Sequence, residues 1–182
     1  LHPAVIAFIR TRPDLLDTTA DAVQRGRMIA CTPRSWARVS AIMGAVTDRL
    51  LRDTLIAGTL GDAPAAEFIL LEQEIAATVQ VADMIAAAPR DRAGLYPASL
   101  HGLTALVYAL VTLAERDTLP DSIAIMADIR RLADLRGDAF ARLPLAELTT
   151  YGMELLIERS LAQGWQEAFR DSGAYAAYVA ER

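Results

Sequence analysis

Apolar residues recur along this chain at steps of three and four, the spacing of one helix face, and no stretch shows the strict alternation of a half-buried strand. Pro3 suits a first helical turn, and Val5, Ile6 and Ile9 follow on one side. Arg12-Pro13 ends that helix, because a residue before proline avoids the α region. Residues 13–17 read as a short turn and 18–31 as a polar, aperiodic loop. Thr32-Pro33 restarts the chain as cap and first helical residue. Trp36, Val39, Met43, Val46 and Leu50 then predict one amphipathic helix to about residue 57, broken by Gly58 and Gly61. Asp62 caps a helix over 63–77 that buries Phe68, Leu71 and Ile75. Residues 79–85 are too short to separate helix from strand by pattern.

Residues 89–97 combine two prolines, Gly94 and alternating charge, and predict a linker between two halves, 1–88 and 98–182. Beyond it, Leu100, Leu103, Val107, Leu110 and Leu113 mark a strongly apolar helix. Pro120 opens another with Ile123, Met126, Ile129 and Leu132. Pro144 opens a third with Leu148, Leu155 and Ile157, and a short helix is expected over 165–169. The fold class expected is all-α, a helical array with short loops. Composition agrees: 53% of residues are hydrophobic but only 6% aromatic. Ala and Leu, strong helix formers, therefore dominate the apolar set.

Charge narrows the function. All 18 basic residues are Arg. That excludes both a phosphate loop with its lysine and Schiff-base chemistry within the chain. The net charge of −5 is uneven: residues 1–52 hold eight Arg against four Asp, and acids dominate the rest. An acidic chain is a poor duplex binder, so no nucleic-acid partner is expected, although the basic first quarter suits a smaller anion such as a nucleotide. Cys31 is the single cysteine, which fits a reducing compartment, and a cytoplasmic location is expected. The uncharged run 100–114 contains His101 and falls short of the ~18–20 residues of a membrane span. It reads as a buried helix, with no membrane partner. The chain begins with Leu and reads as a piece of something longer.

Few residues carry chemistry. His2 and His101 have no ligand at metal spacing, so no metal site is expected. Cys31 reads as a small core residue. Glu67, Glu72 and Glu74, and the pair Arg130 and Arg131, read as solvated helix faces. One segment stands out: Thr32-Pro33-Arg34-Ser35-Trp36, continuing to Arg38. Thr32 and Pro33 fix a helix start, which attracts anions through free backbone N–H groups and the dipole. Arg34 in the first turn adds a planar fork matched to phosphate, and Arg38 follows one turn later on the same side. The same dipole disfavours an arginine there unless an anion is near. The competing reading pairs Arg34 with Asp14, Asp17 or Asp21.

Three blocks carry a resemblance. They are His2-Pro3-Ala4-Val5-Ile6-Ala7-Phe8-Ile9-Arg10, then Arg12-Pro13-Asp14-Leu15-Leu16, then, after a variable loop, Thr32-Pro33-Arg34-Ser35-Trp36. Together they resemble the lid that follows the nucleotide-binding core in MoxR-like AAA+ ATPases, in a branch where a long helical tail succeeds the lid. Ile56-Ala57-Gly58-Thr59-Leu60-Gly61 with Ala65-Ala66-Glu67-Phe68 is similar to that family's glycine-punctuated turn and next helix. Leu143-Pro144-Leu145-Ala146-Glu147 looks like a later tail motif. The good resemblance covers about residues 1–75.

The resemblance implies an AAA+ lid-type subdomain and a helical-array tail. Arg34 matches the sensor-2 arginine, which reaches the γ-phosphate of ATP held with Mg²⁺ in the core. It also implies a homo-oligomeric ring, usually a hexamer, acting as a chaperone on partner complexes, often ones with von Willebrand factor A domains. The core itself is missing: the chain has no Walker A or Walker B motif and no arginine finger, so it cannot hydrolyse ATP alone. The alternative expectation is a stand-alone helical protein-interaction module without nucleotide chemistry, with residues 100–114 as its exposed apolar patch.

Overall fold

The computed structural model describes residues 1–181, and every regular element among them is helical. The chain divides into two compact units, Leu1–Ala77 and a second beginning at Thr78.

In the first unit, α1 (Pro3–Thr11) starts on His2, whose Nδ1 accepts from the Ala4 N–H at 3.3 Å. A 3₁₀ turn, Pro13–Leu15, follows where the sequence predicts a short turn. The segment 18–31, expected as a loop, contains α2 (Thr19–Gln24), which buries only Ala22 and so leaves no apolar stripe in the sequence. The single long helix expected from residue 33 is two: α3 (Pro33–Ala45) and α4 (Arg49–Leu60). Val46 is extended, and Asp48 restarts the chain by accepting from the Leu51 N–H at 2.8 Å. The break turns Leu50 out of the apolar stripe, leaving it 79% exposed. Helix α4 also runs through Gly58 and stops at Gly61. Helix α5 (Asp62–Thr78) buries Phe68, Leu71 and Ile75, as its spacing predicts.

The core of this unit is an aromatic triad. The ring centroids of Phe8, Trp36 and Phe68 lie 5.3, 5.6 and 5.8 Å apart, tilted or edge-on. Ring quadrupoles favour such arrangements. One ring comes from each of α1, α3 and α5, so the triad ties these three helices together. Arg12 adds ion pairs to Asp14 and Glu67, and Arg52 reaches Glu72 at 3.3 Å.

The second unit contains α6 (Val81–Ala86), α7 (Leu100–Leu113), α8 (Leu119–Ile129), α9 (Leu132–Arg136), α10 (Asp138–Ala141), α11 (Leu145–Gln163), α12 (Glu167–Arg170) and α13 (Gly173–Ala180). Its core is one cluster built mainly from α7, α8 and α11. Helix α7 is buried from Gly102 to Leu110, in line with its uncharged sequence. Helix α11 crosses both neighbours at Gly152. A Cβ there would collide with the Met126 side chain and stand 3.1 Å from Val107 Cγ1. Glycine permits the close approach.

The stretch 89–97 is not an independent linker. Pro89–Leu95 forms 3₁₀ turns, and Arg92 and Tyr96 are buried within the second unit. Arg92 Nε donates to the carbonyls of Met84 at 2.9 Å and Ala87 at 3.1 Å, and Nη2 meets Asp121 at 2.6 Å. A charged residue thereby closes the end of α6. No helix among the described residues is long and apolar enough to cross a membrane.

Candidate functional site

The start of α3 is fixed by its own side chains. Thr32 is extended, Pro33 supplies the first helical residue, and a reciprocal capping box closes the turn. The Ser35 N–H donates to Thr32 Oγ1 at 3.1 Å, and the Thr32 N–H donates to Ser35 Oγ at 2.7 Å. The Trp36 N–H bonds the Thr32 carbonyl at 3.0 Å. Pro33 has no N–H to offer. Of the free donors expected at this terminus, the capping box thus leaves the N–H of Arg34. Attraction for an anion here rests on side chains more than on backbone.

Those side chains are Arg34 and Arg38. Both are exposed, and neither has an ion-pair partner among the described residues. The three carboxylates that compete for Arg34 are engaged elsewhere. Asp14 pairs with Arg12 at 2.8 Å, which holds its pKa below the ordinary carboxylate range. Asp17 accepts from the Thr19 N–H at 2.9 Å, and its pKa is lowered by bonds to Thr19. Asp21 takes Arg25 at 2.8 Å and Arg27 at 3.8 Å. Other arginines of the unit, Arg12, Arg49 and Arg52, also have carboxylate partners. Two like charges one turn apart at the positive end of a helix repel each other and oppose the dipole. An anion relieves both costs.

Trp36 points away from this pair, 2% exposed, and seats α3 in the aromatic triad. The guanidiniums therefore project from a backbone held on its opposite side.

The other candidates take structural places. His2 caps α1, and its burial lowers its pKa. His101 is half-buried in the first turn of α7. Cys31 is fully buried with Sγ 3.7 Å from the Leu60 carbonyl, and burial pushes its thiol up. Glu67 and Glu72 hold arginines rather than forming a bare solvated face. Arg131 reaches Asp128 at 3.5 Å, and Arg130 bonds the Glu181 carbonyl at 3.3 Å. No cluster of potential metal ligands occurs among the described residues.

A cleft of about 500 Å³ has little trace in the sequence. Leu15, Ala22, Met28, Ile29, Leu60 and Asp62 are among its lining, and Arg34 and Arg38 are not. Its one signal in sequence is the apolar pair Met28-Ile29 inside a polar stretch; Met28 is 99% exposed. No family model, no curated protein and no solved structure matches the chain.

Proposed function

We propose that this chain is the lid and helical tail of an ATP-driven remodelling ATPase of the MoxR-like AAA+ type, with Arg34 as the residue that senses the terminal phosphate. The observation that carries the reading is the exposure of Arg34 and Arg38 on one face of α3 without an ion-pair partner among the described residues, in a unit where neighbouring carboxylates hold other arginines. The motif blocks at residues 2–10, 12–16 and 32–36 supply the likeness; the electrostatics supply a physical reason for it.

In this reading, a nucleotide-binding segment outside these residues provides the phosphate loop, since the chain has no lysine. ATP and Mg²⁺ bound there supply the transferable phosphoryl group. Arg34 directs its guanidinium at the γ-phosphate oxygens, where charge builds in the transition state. Arg38 stands one turn behind as a second, weaker contact. Trp36 and the capping box transmit the position of the phosphate to α3, and the aromatic triad passes it to α1 and α5. The ring assembly, the remodelling of von Willebrand factor A-domain partners and the cytoplasmic site of action belong to the same proposal.

The test is turnover of the ATPase that carries this sequence. Arg34→Ala lowers its rate by more than about tenfold while the helical circular dichroism is unchanged. A fully active Arg34→Ala enzyme overturns the assignment. The alternative, an interaction module without nucleotide chemistry, loses the patch expected for it, because α7 is enclosed in the core of the second unit.

A further inference from the structure

A second cleft, of about 210 Å³, opens in the second unit between the 3₁₀ turns Pro89–Leu95, α8 and α13. Alanines line it from both helices, Ala124 and Ala127 on α8, Ala174 and Ala177 on α13. Their methyl groups leave the space between the helices unfilled. Four charged residues belong to the same lining: Arg92 from the turns, Asp128 near the end of α8, Arg131 just beyond it and Glu181 after α13.

Two of these groups are incompletely bonded. Asp128 has 24% of its side chain exposed, and its partners stand at the limit of bonding, Tyr96 Oη at 3.5 Å and Arg131 Nη2 at 3.5 Å. Bonds to a carboxylate ordinarily close to about 2.5–2.9 Å. Burial raises the Asp128 pKa, so the fold desolvates this acid without supplying a close donor. Arg92, 2% exposed, spends Nε and Nη2 on the carbonyls of Met84, Ile85 and Ala87 and on Asp121. Its Nη1 has no hydrogen-bond partner among the described residues. That nitrogen is not fully enclosed, so its N–H groups open to the cleft that Arg92 lines. Arg92 and Asp128 form no ion pair with each other, and space remains between them.

We infer that this cleft binds a small zwitterion of the α-amino-acid class, its carboxylate on Arg92 Nη1 and Arg131, its ammonium on Asp128. The open donor on Arg92 calls for an acceptor, and the loosely held Asp128 calls for a donor. A lone cation leaves the Arg92 N–H groups unmet, and a lone anion meets the Asp128 carboxylate. A zwitterion satisfies both and brings no net charge out of water. Arg131 keeps 53% of its side chain exposed and holds Asp128 only at 3.5 Å, so its fork can turn to a carboxylate. The cleft is smaller than the roughly 300–1,000 Å³ of drug-sized sites, and its alanine walls suit a short apolar side chain. The inference stands independently of nucleotide chemistry at Arg34.

The experiment is an NMR titration of the whole chain at pH 7 with three probes: L-alanine, ethylammonium, which lacks its carboxylate, and propionate, which lacks its ammonium. L-alanine is expected to move the amide signals of Ala127, Ala177 and Tyr178 saturably, with a Kd at or below about 1 mM. Each half-probe binds at least about tenfold more weakly. Asp128→Asn removes the ammonium's partner and weakens L-alanine about tenfold while propionate binds no worse. Arg131→Gln weakens L-alanine and propionate together and leaves ethylammonium unchanged. Arg92 is left in place because it closes α6, and circular dichroism checks that both variants keep their helicity. No saturable shift with L-alanine up to about 20 mM overturns the inference. So does equal affinity for either half-probe, or L-alanine binding that Asp128→Asn leaves intact.

Discussion

Trp36 donates its indole N–H to the carbonyl of Leu15 across 2.8 Å, joining α3 to the 3₁₀ turn that follows α1. The bond spans 21 residues, and the same ring packs on Phe8 and Phe68. Trp36→Phe keeps most of the packing but leaves the Leu15 carbonyl without this donor, a loss of about 1–2 kcal/mol. Trp36→Ala also opens the triad and costs about 3–5 kcal/mol. Urea unfolding of the two variants separates the bond from the packing.

The two glycines with opposite surroundings give opposite outcomes. Gly152→Ala forces a methyl against Met126 and Val107. It destabilises by about 1–3 kcal/mol. Gly58→Ala meets nothing. It stabilises the fold by up to about 1 kcal/mol through helix propensity. Thermal melts of the two variants read both.

Arg92 is 2% exposed and holds two carbonyls of α6 and its C-terminal cap together with Asp121. Replacing it with alanine strips these partners at once and costs about 3 kcal/mol. Hydrogen exchange is expected to quicken first in α6, whose C-terminal carbonyls lose their donor.

Asp128 contributes a pH dependence. Burial raises its pKa above the ordinary value, against the opposing pull of Arg131 and Arg92. Its ionised form is therefore disfavoured in the fold, and its contribution to stability falls as pH rises through the ordinary value toward the raised one. Asp128→Asn is expected to raise the melting temperature at pH 7 and to have no such effect below the ordinary carboxylate range. Melts of both proteins from about pH 3 to about 8 check the crossing.

His2 works with the opposite sign. Its pKa is lowered by burial and then by Arg52, and its Nδ1 serves α1 only while neutral. Stability is present above the ordinary value of 6.5 and is lost as pH falls through the lowered one. Amide exchange at Ala4 is expected to accelerate on acidification in the natural chain and to be independent of pH in His2→Asn, after correction for intrinsic exchange.

The helices are legible in the sequence wherever proline or threonine opens an apolar stripe, as at Thr32-Pro33, Pro120 and Pro144. What depends on partners distant in the chain is hidden. The break at 46–48 has no glycine or proline, and Val46 and Leu50 keep the periodic spacing across it, so the pattern reads as one helix in place of two. Arg92 resembles a linker residue because the carbonyls that bury it lie on and just past α6. Helix α13 buries only Tyr178 and leaves no stripe to follow. At the candidate site, the residue types and the helix start are legible. The engagement of Asp14, Asp17 and Asp21 is not, because that is settled by which donor each carboxylate meets.

The closed turn at Thr32 has a thermodynamic consequence. Its amides other than that of Arg34 are already committed, so in the proposed function binding at Arg34 would order little backbone. The entropy lost is confined to two guanidinium side chains, at about 0.5–1.5 kcal/mol each. On the proposed reading, capture of an anion at this end of α3 is a docking event on a finished scaffold, with rotamers stiffening while the helix beneath them keeps its shape.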